Sequence, residues 1–249
     1  MKRVLVVPAA GRGSRLGGSL PKLMVPVNGR PMLDYILDRY REEAEVVLLV
    51  LHLDSADLVR KHVEKRGQAI ELLFQQQPTG MLDAILIPRP RIARINPDEV
   101  WITWCDQVAV GKETVQRLGQ AMVTRPEPEL AFPTVTTVPP YIHFARDESG
   151  RIVRVLQRRE DDAMPEEGEG DIGLFALTRR AYLESLPAFA GAASAGTGTG
   201  ERNFLPFIPW LAGHSLVRTI SATRAIEAVG INTPEDLELI GNYLASANR

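Results

Sequence analysis

The chain has 249 residues, 45% hydrophobic and 24% charged, with a formal net charge of −2, enough apolar material for a sizeable core and no global bias toward nucleic acid or an anionic membrane. A single cysteine, Cys105, excludes an internal disulfide and a cysteine-built zinc cluster and fits a reducing cytoplasm. The opening apolar run is too short for a signal-peptide core, and no later stretch reaches membrane-spanning length, so no membrane partner is expected.

"KRVLVV" reads as a first buried strand, ending in the glycine-rich, cationic stretch "PAAGRGSRLGGSLPK". "PMLDYILDRYREE" follows as a helix with Met32, Tyr35, Ile36 and Tyr40 on one face. "AEVVLLVLHL" is a second strand, "SADLVRKHVEKR" a helix opened by Ser55, "AIELLFQ" a third strand and "TGMLDAILI" a short helix. "EVWITWCDQ" reads as a central strand whose acidic tip would lie beside the first loop. This alternation predicts an α/β, Rossmann-like fold with a mixed, mainly parallel central sheet built from crossovers.

After residue 135 the pattern changes. "YIHFARDESGRIVRVLQ" alternates polar and apolar around "DESG", a β-hairpin insertion with Gly150 in its turn. "DIGLFALTRRAYLESL" is strand then helix, and the Gly/Ala/Thr tract from Ala190 to Asn203 reads as a mobile flap. "FLPFIPWLAG" is a proline-interrupted helix and "IEAVGI" a last strand. "TPEDLELIGNYLA" is a closing helix capped by Thr233 with Pro234 in its first turn. Neither an internal repeat nor a linker interrupts the sequence, so one domain spanning 1–249 is expected.

The glycines of the first loop, Gly11 and Gly13 with Gly17 and Gly18, let backbone N–H groups turn toward an anion. Arg12, Arg15 and Lys22 add cations between them, so phosphate is the natural guest. A Walker A loop would need Gly-Lys-Ser or Gly-Lys-Thr where "GSR" stands, and a dinucleotide fingerprint would continue into a regular helix instead of "SLPK". A solvated basic loop and an NAD-dependent oxidoreductase, with Asp54 near the end of the second strand, are the competing readings.

"PAAGRGSRLGGSLPK" resembles the signature loop of the nucleotidyltransferases that join a nucleoside triphosphate to a sugar phosphate. The resemblance implies that Ala9, Ala10 and Gly11 pass main chain along base and ribose, that Arg12 and Arg15 hold phosphates with Gly13, and that Lys22 neutralises the α-phosphate. "FQQQPTGMLDAIL" resembles the second base-contact segment, implying Gln75 and Gly80 at a uracil or thymine edge; alone, Gln75 to Gln77 read as a solvated strand end. Asp106 in "WCDQ" and Asn232 in "VGINTPEDL" match two Mg2+ ligands; alone, Asp106 reads as a turn or cap residue and Asn232 as an N-terminal cap. Cys105 carries no expected chemistry.

The hairpin and the closing segment are similar to the acceptor side of the sugar-phosphate branch. Ile142 stands where relatives have a glycine, Gln157 where they have a glutamate, and Asp171, before Gly173, where they have an asparagine. Glu160 could replace that glutamate from a shifted position. Glu201 resembles a glycine-glutamate step, and His143 lies in the hairpin that would line the acceptor pocket, with a structural histidine as its other reading, whereas His62 reads as solvated. The resemblance implies a nucleotide-binding half over 1–135 and an acceptor-binding half with closing helix over 136–249. Its partners would be a pyrimidine triphosphate and a phosphorylated small molecule, with Mg2+ as cofactor and no nucleic acid. A cytidylyltransferase for an alcohol phosphate and a non-catalytic nucleotide-sugar sensor remain alternatives. Oligomeric state has no signature in the sequence.

Overall fold

The computed structural model describes residues 1–11, 16, 20–77 and 79–247. From β1 (Arg3–Ala9) the chain reaches a 3-10 turn, Lys22–Met24, and a small ribbon of β2 (Pro26–Val27) against β3 (Arg30–Pro31). Then come α1 (Met32–Arg39), β4 (Val46–Leu51), α2 (Ala56–Val63), β5 (Ile70–Phe74), α3 (Met81–Leu86), α4 (Arg89–Ile95) and β6 (Glu99–Thr103). The second half holds α5 (Lys112–Val123), β7 (Leu130–Thr137), β8 (Ile142–Arg146), β9 (Ile152–Gln157), β10 (Gly168–Asp171), β11 (Leu174–Thr178) and α6 (Leu186–Ala192). It ends with α7 (Phe207–Ala212), β12 (Val217–Ser221) and α8 (Pro234–Ala247).

The main sheet runs β10-β7-β11-β6-β1-β4-β5, with β12 also paired to β7. β5, β4, β1 and β6 are parallel; β11 and β10 run antiparallel to their neighbours. β1 and β4 are apolar on both faces because helices cover both. Leu5, Val7 and Leu49 pack with Met32, Ile36, Leu118 and Ile240 on one face; Val4, Val6 and Leu48 pack with Leu82, Ile92, Phe189 and Phe207 on the other. The expected α/β fold with a mixed, mainly parallel sheet is what the chain adopts. The hairpin is present as β8 on β9, with Gly150 at φ +81° in its turn, a conformation that favours glycine.

Several expectations are corrected. "IEAVGI" is not a strand: Ala225–Ala228 forms a 3-10 turn around the buried Glu227, which accepts from the Gly111 N–H at 3.1 Å and the Thr223 hydroxyl at 2.5 Å. The last strand is β12, whose polar surroundings in sequence hid it. Ser55 does open α2, standing at its N-cap position, but without a side-chain capping bond; it also ends a 3-10 turn, Leu53–Ser55, in which the His52 side chain accepts from the Asp54 N–H at 3.3 Å. His62 is partly exposed but paired: its Nε2 lies 2.8 Å from an Asp34 oxygen that Arg66 also binds at 2.5 Å. Thr233 does cap α8: its hydroxyl accepts from the Asp236 N–H at 3.2 Å, and the Asp236 carboxylate accepts from the N–H groups of Asn232 and Thr233 at 2.9 Å.

The tract 190–203 is no free flap. Its first residues finish α6, and residues 196–201 fold over the buried Glu160 carboxylate, which accepts from Gly198 N–H (2.9 Å), Thr199 N–H (3.1 Å), the Thr199 hydroxyl (2.6 Å) and the Asn203 amide (2.8 Å). Composition suggested permissiveness, but a buried charge needing donors fixes the loop.

Candidate active site

The order of the parallel strands reverses at β1, between β4 and β6, and in open α/β sheets the crevice at such a point, outside the carboxyl ends, is where ligands bind. Ala9 and Ala10 are buried at the end of β1 and Gly11 is exposed beyond it. Arg12, Gly13 and Arg15, with Gly17 and Gly18, lie outside the described residues. Lys22 opens the 3-10 turn that follows the loop. Its Nζ donates to Asp106 Oδ2 at 2.5 Å and to Asn232 Oδ1 at 2.8 Å, joining the loop's end, the β6 tip and the approach to α8. The Asn232 amide donates to Gly230 O at 3.0 Å, which turns its oxygen toward Lys22.

Neither Asp106 nor Asn232 serves as a helix cap. Among the described residues Asp106 Oδ1, which is buried, has no hydrogen-bond partner, an arrangement that costs stability unless a ligand satisfies it. A carboxylate and an amide oxygen, now bridged by one cation, are donors that suit a hard divalent ion. Among the described residues no three His, Cys, Asp or Glu side chains gather as a metal centre, here or elsewhere.

Asp171 lies at the end of β10 and accepts from the Gly173 N–H at 2.7 Å. Burial, and secondarily the Asp106 charge, raise its carboxyl to about 6. Gly173 has φ +71°, and a Cβ there would stand 2.4 Å from Trp104 Cδ1, so glycine is required on both counts. Ile142 pairs with Gln157 across the hairpin, and the Ile142 carbonyl presses on Gly170 beside Asp171. His143 Nδ1 accepts from the Glu169 N–H at 3.2 Å and thereby ties the hairpin to β10. Cys105 is a buried thiol pushed up to about 12, by burial first and by Asp106 next, and has no nucleophilic character.

Gln75 is buried rather than solvated; its amide donates to Gly80 O at 3.2 Å and its backbone to Leu51 O at 2.9 Å. Gly80 has φ +126°, and a Cβ there would stand 2.4 Å from the Arg202 backbone. Its glycine is therefore explained by close approach of the chain. Arg202 N–H donates to Thr79 O at 2.9 Å, and the Arg202 guanidinium reaches Asp83 at 2.5 Å. Next along, Arg159 binds Glu201 at 3.2 Å and also Asn203. One path of contacts thus runs from Gln75 through Gly80 and Arg202 to Glu160 and the end of β9. Sequence reasoning missed Arg202 and Gln107, whose only signal was adjacency to other candidates.

A model of the MobA-like NTP transferase domain matches residues 5–205. Over 238 residues the chain is 29% identical to the bifunctional protein GlmU of Pseudomonas aeruginosa (strain LESB58), covering 93% of the chain and 49% of that protein. With the bifunctional protein GlmU of Azoarcus sp. (strain BH72) it shares 27% identity over 237 residues, 94% and 50% of the two chains. The chain spans about half the length of the curated relatives it matches. Its fold is shared with HddC from Yersinia pseudotuberculosis, at a TM-score of 0.69 and 17% identity, covering 98% of this chain and 100% of that one.

Proposed function

As the chain belongs to the MobA-like NTP transferase family and is a nucleotidyltransferase, we propose that it transfers the nucleotidyl group of a pyrimidine nucleoside triphosphate to a sugar 1-phosphate, releasing pyrophosphate. The observation that carries this reading is Lys22 held between Asp106 and Asn232 at the switch point of the sheet. Residues 1–135 act as the nucleotide half and 136–249 as the acceptor half of one domain. No helix among the described residues is long and apolar enough to cross a membrane, and we place the reaction in the cytoplasm.

Asp106 and Asn232 are the residues that would hold Mg2+, which when bound supplies positive charge to phosphate oxygens. An acceptor phosphate is already anionic near neutral pH, so its oxygen attacks the α-phosphorus in line without a general base. The obstacle is repulsion between two anions. Lys22, moving from the Asp106–Asn232 pair to the phosphates, and Arg12 and Arg15 from the loop neutralise that charge as it spreads in the transition state. Ala9, Ala10, Gly11 and Gly13 pass backbone along the nucleoside and its phosphates. Gln75 spends its N–H on Gly80 O, which orients the amide whose oxygen accepts the imide N–H of uracil or thymine. Ile142, His143, Gln157, Asp171, Gly173 and Glu201 form the acceptor wall.

The test is pyrophosphate release with Mg2+ across UTP, dTTP, CTP, ATP and GTP, each against sugar 1-phosphates and alcohol phosphates. One pyrimidine triphosphate with one sugar 1-phosphate is expected to turn over, and Asp106→Ala to abolish it. Turnover only of CTP with an alcohol phosphate would move the acceptor to that class. Tight nucleotide binding without turnover would make the protein a sensor.

A further inference from the structure

Gln107 is 8% exposed, and among the described residues its buried Oε1 has no hydrogen-bond partner, nor has Oδ1 of the adjacent Asp106. Its place is set from two sides. Cγ lies 2.6 Å from where a Cβ on Gly173 would stand, and Nε2 lies 3.1 Å from where a Cβ on Gly230 would stand, beside the Asp106 carboxylate at the same 3.1 Å. The amide therefore spans from the β10–β11 turn to the segment leading to Asn232. Both glycines admit it, since any side chain at either position would press on it.

Unpaired buried amides are selected against unless a ligand completes them. Lys22 Nζ satisfies Asp106 Oδ2 and Asn232 Oδ1, which leaves Asp106 Oδ1 and Gln107 Oε1, on consecutive residues, as acceptor oxygens without a donor among the described residues. A hydrated cation supplies what is missing, because Mg2+ keeps several waters and their polarised O–H groups need acceptors outside the coordination sphere. We propose that Gln107 is a positioning residue of the cation site, its Oε1 accepting a hydrogen bond from a water of the ion's hydration shell. The inference rests on the reading of Asp106 and Asn232 as the cation's ligands. It assigns Gln107 the task of orienting that shell on the side facing Gly173 and the acceptor wall.

Mn2+ serves as the probe, titrated into the full chain and followed by EPR, with the protein alone and with UTP. Gln107→Met keeps the length and removes both polar atoms; it is expected to raise the Kd for Mn2+ about 10-fold. Gln107→Glu, which retains an acceptor oxygen, is expected to restore affinity, and the thermal midpoint of metal-free Gln107→Met to equal or exceed that of the wild type. Unchanged Mn2+ affinity in Gln107→Met would show that the amide does not serve the cation. A lowered metal-free midpoint would show that it serves the fold instead; either result overturns the inference. Asp106→Ala separates the two failures: if it also leaves Mn2+ affinity unchanged, the ligand reading itself has failed.

Discussion

At the scale of single residues, the proposed reaction sets two cations in competition for Asp106 and Asn232. Lys22 holds an oxygen of each in the structure, so on that proposal Mg2+ would displace it and free the ammonium for phosphate. Lys22→Met is therefore expected to lower kcat by about 10²–10³-fold, the cost of removing one preorganised charge, while Mn2+ binding by EPR stays as tight or tightens. Weakened Mn2+ binding would mean that Lys22 supports the site rather than competing for it. Asp171 gives a pH signature. Its folded-state carboxyl is raised to about 6, so the folded protein binds a proton that the unfolded chain releases from about pH 4. The stability this confers is present below about pH 4 and is lost as pH rises through about 6. Asp171→Asn removes the titration. In EDTA, the variant should gain on the wild type by about 2 kcal/mol between pH 4 and pH 7 in urea unfolding. A difference independent of pH would contradict the assignment. Lys22, Asp106 and Asn232 were each legible in sequence; their mutual contact was not, because it joins residues more than 80 positions apart.

At the scale of elements, the loop over residues 196–201 depends on one carboxylate. Burial alone would raise Glu160, but hydrogen bonds from the Thr199 hydroxyl, the Asn203 amide and the backbone N–H groups of Thr199 and Gly198 outweigh it and bring the group down to about 2. Its contribution is present above the unfolded value of about 4.3 and is lost as pH falls toward about 2. Glu160→Gln is expected to cost about 1–3 kcal/mol at pH 7, less as pH falls below about 4, and to speed amide hydrogen exchange at Gly198 and Thr199. Exchange unchanged at those amides would show that the loop holds itself. The sequence could not reveal this anchor, since the donors sit some forty positions beyond the carboxylate. Local signals did better. Thr233 with Pro234 announced α8, and "DESG" with Gly150 announced the hairpin. Asn28 and Gly29, at φ 49° and 77° in the turn between β2 and β3, carry a hairpin signal that could have been read from "VNGR". "IEAVGI" misled because β-branched composition cannot register a buried glutamate that bends the chain.

At the scale of the whole molecule, strand polarity does most to build the site. Four parallel strands deliver Ala9, Leu51, Phe74 and Thr103 to one edge of the sheet, which explains why the apolar alternation alone located the crevice. The antiparallel second half brings Asp171, Gly173 and Asn232 to the same edge, and the path from Gln75 through Gly80 and Arg202 to Glu160 ties the two halves together. That closure is a tertiary fact with no local periodicity to betray it. The bond broken in the proposed reaction joins the α-phosphorus to the oxygen that bridges it to the β-phosphorus. The most direct measurement follows radiolabel from UTP or dTTP, carried separately at the α- and γ-positions, with Mg2+ and the sugar 1-phosphate that turns over. The account predicts α-label in a nucleoside diphosphate sugar and γ-label in pyrophosphate. Label from the γ-position in the acceptor would identify phosphoryl instead of nucleotidyl transfer and contradict it.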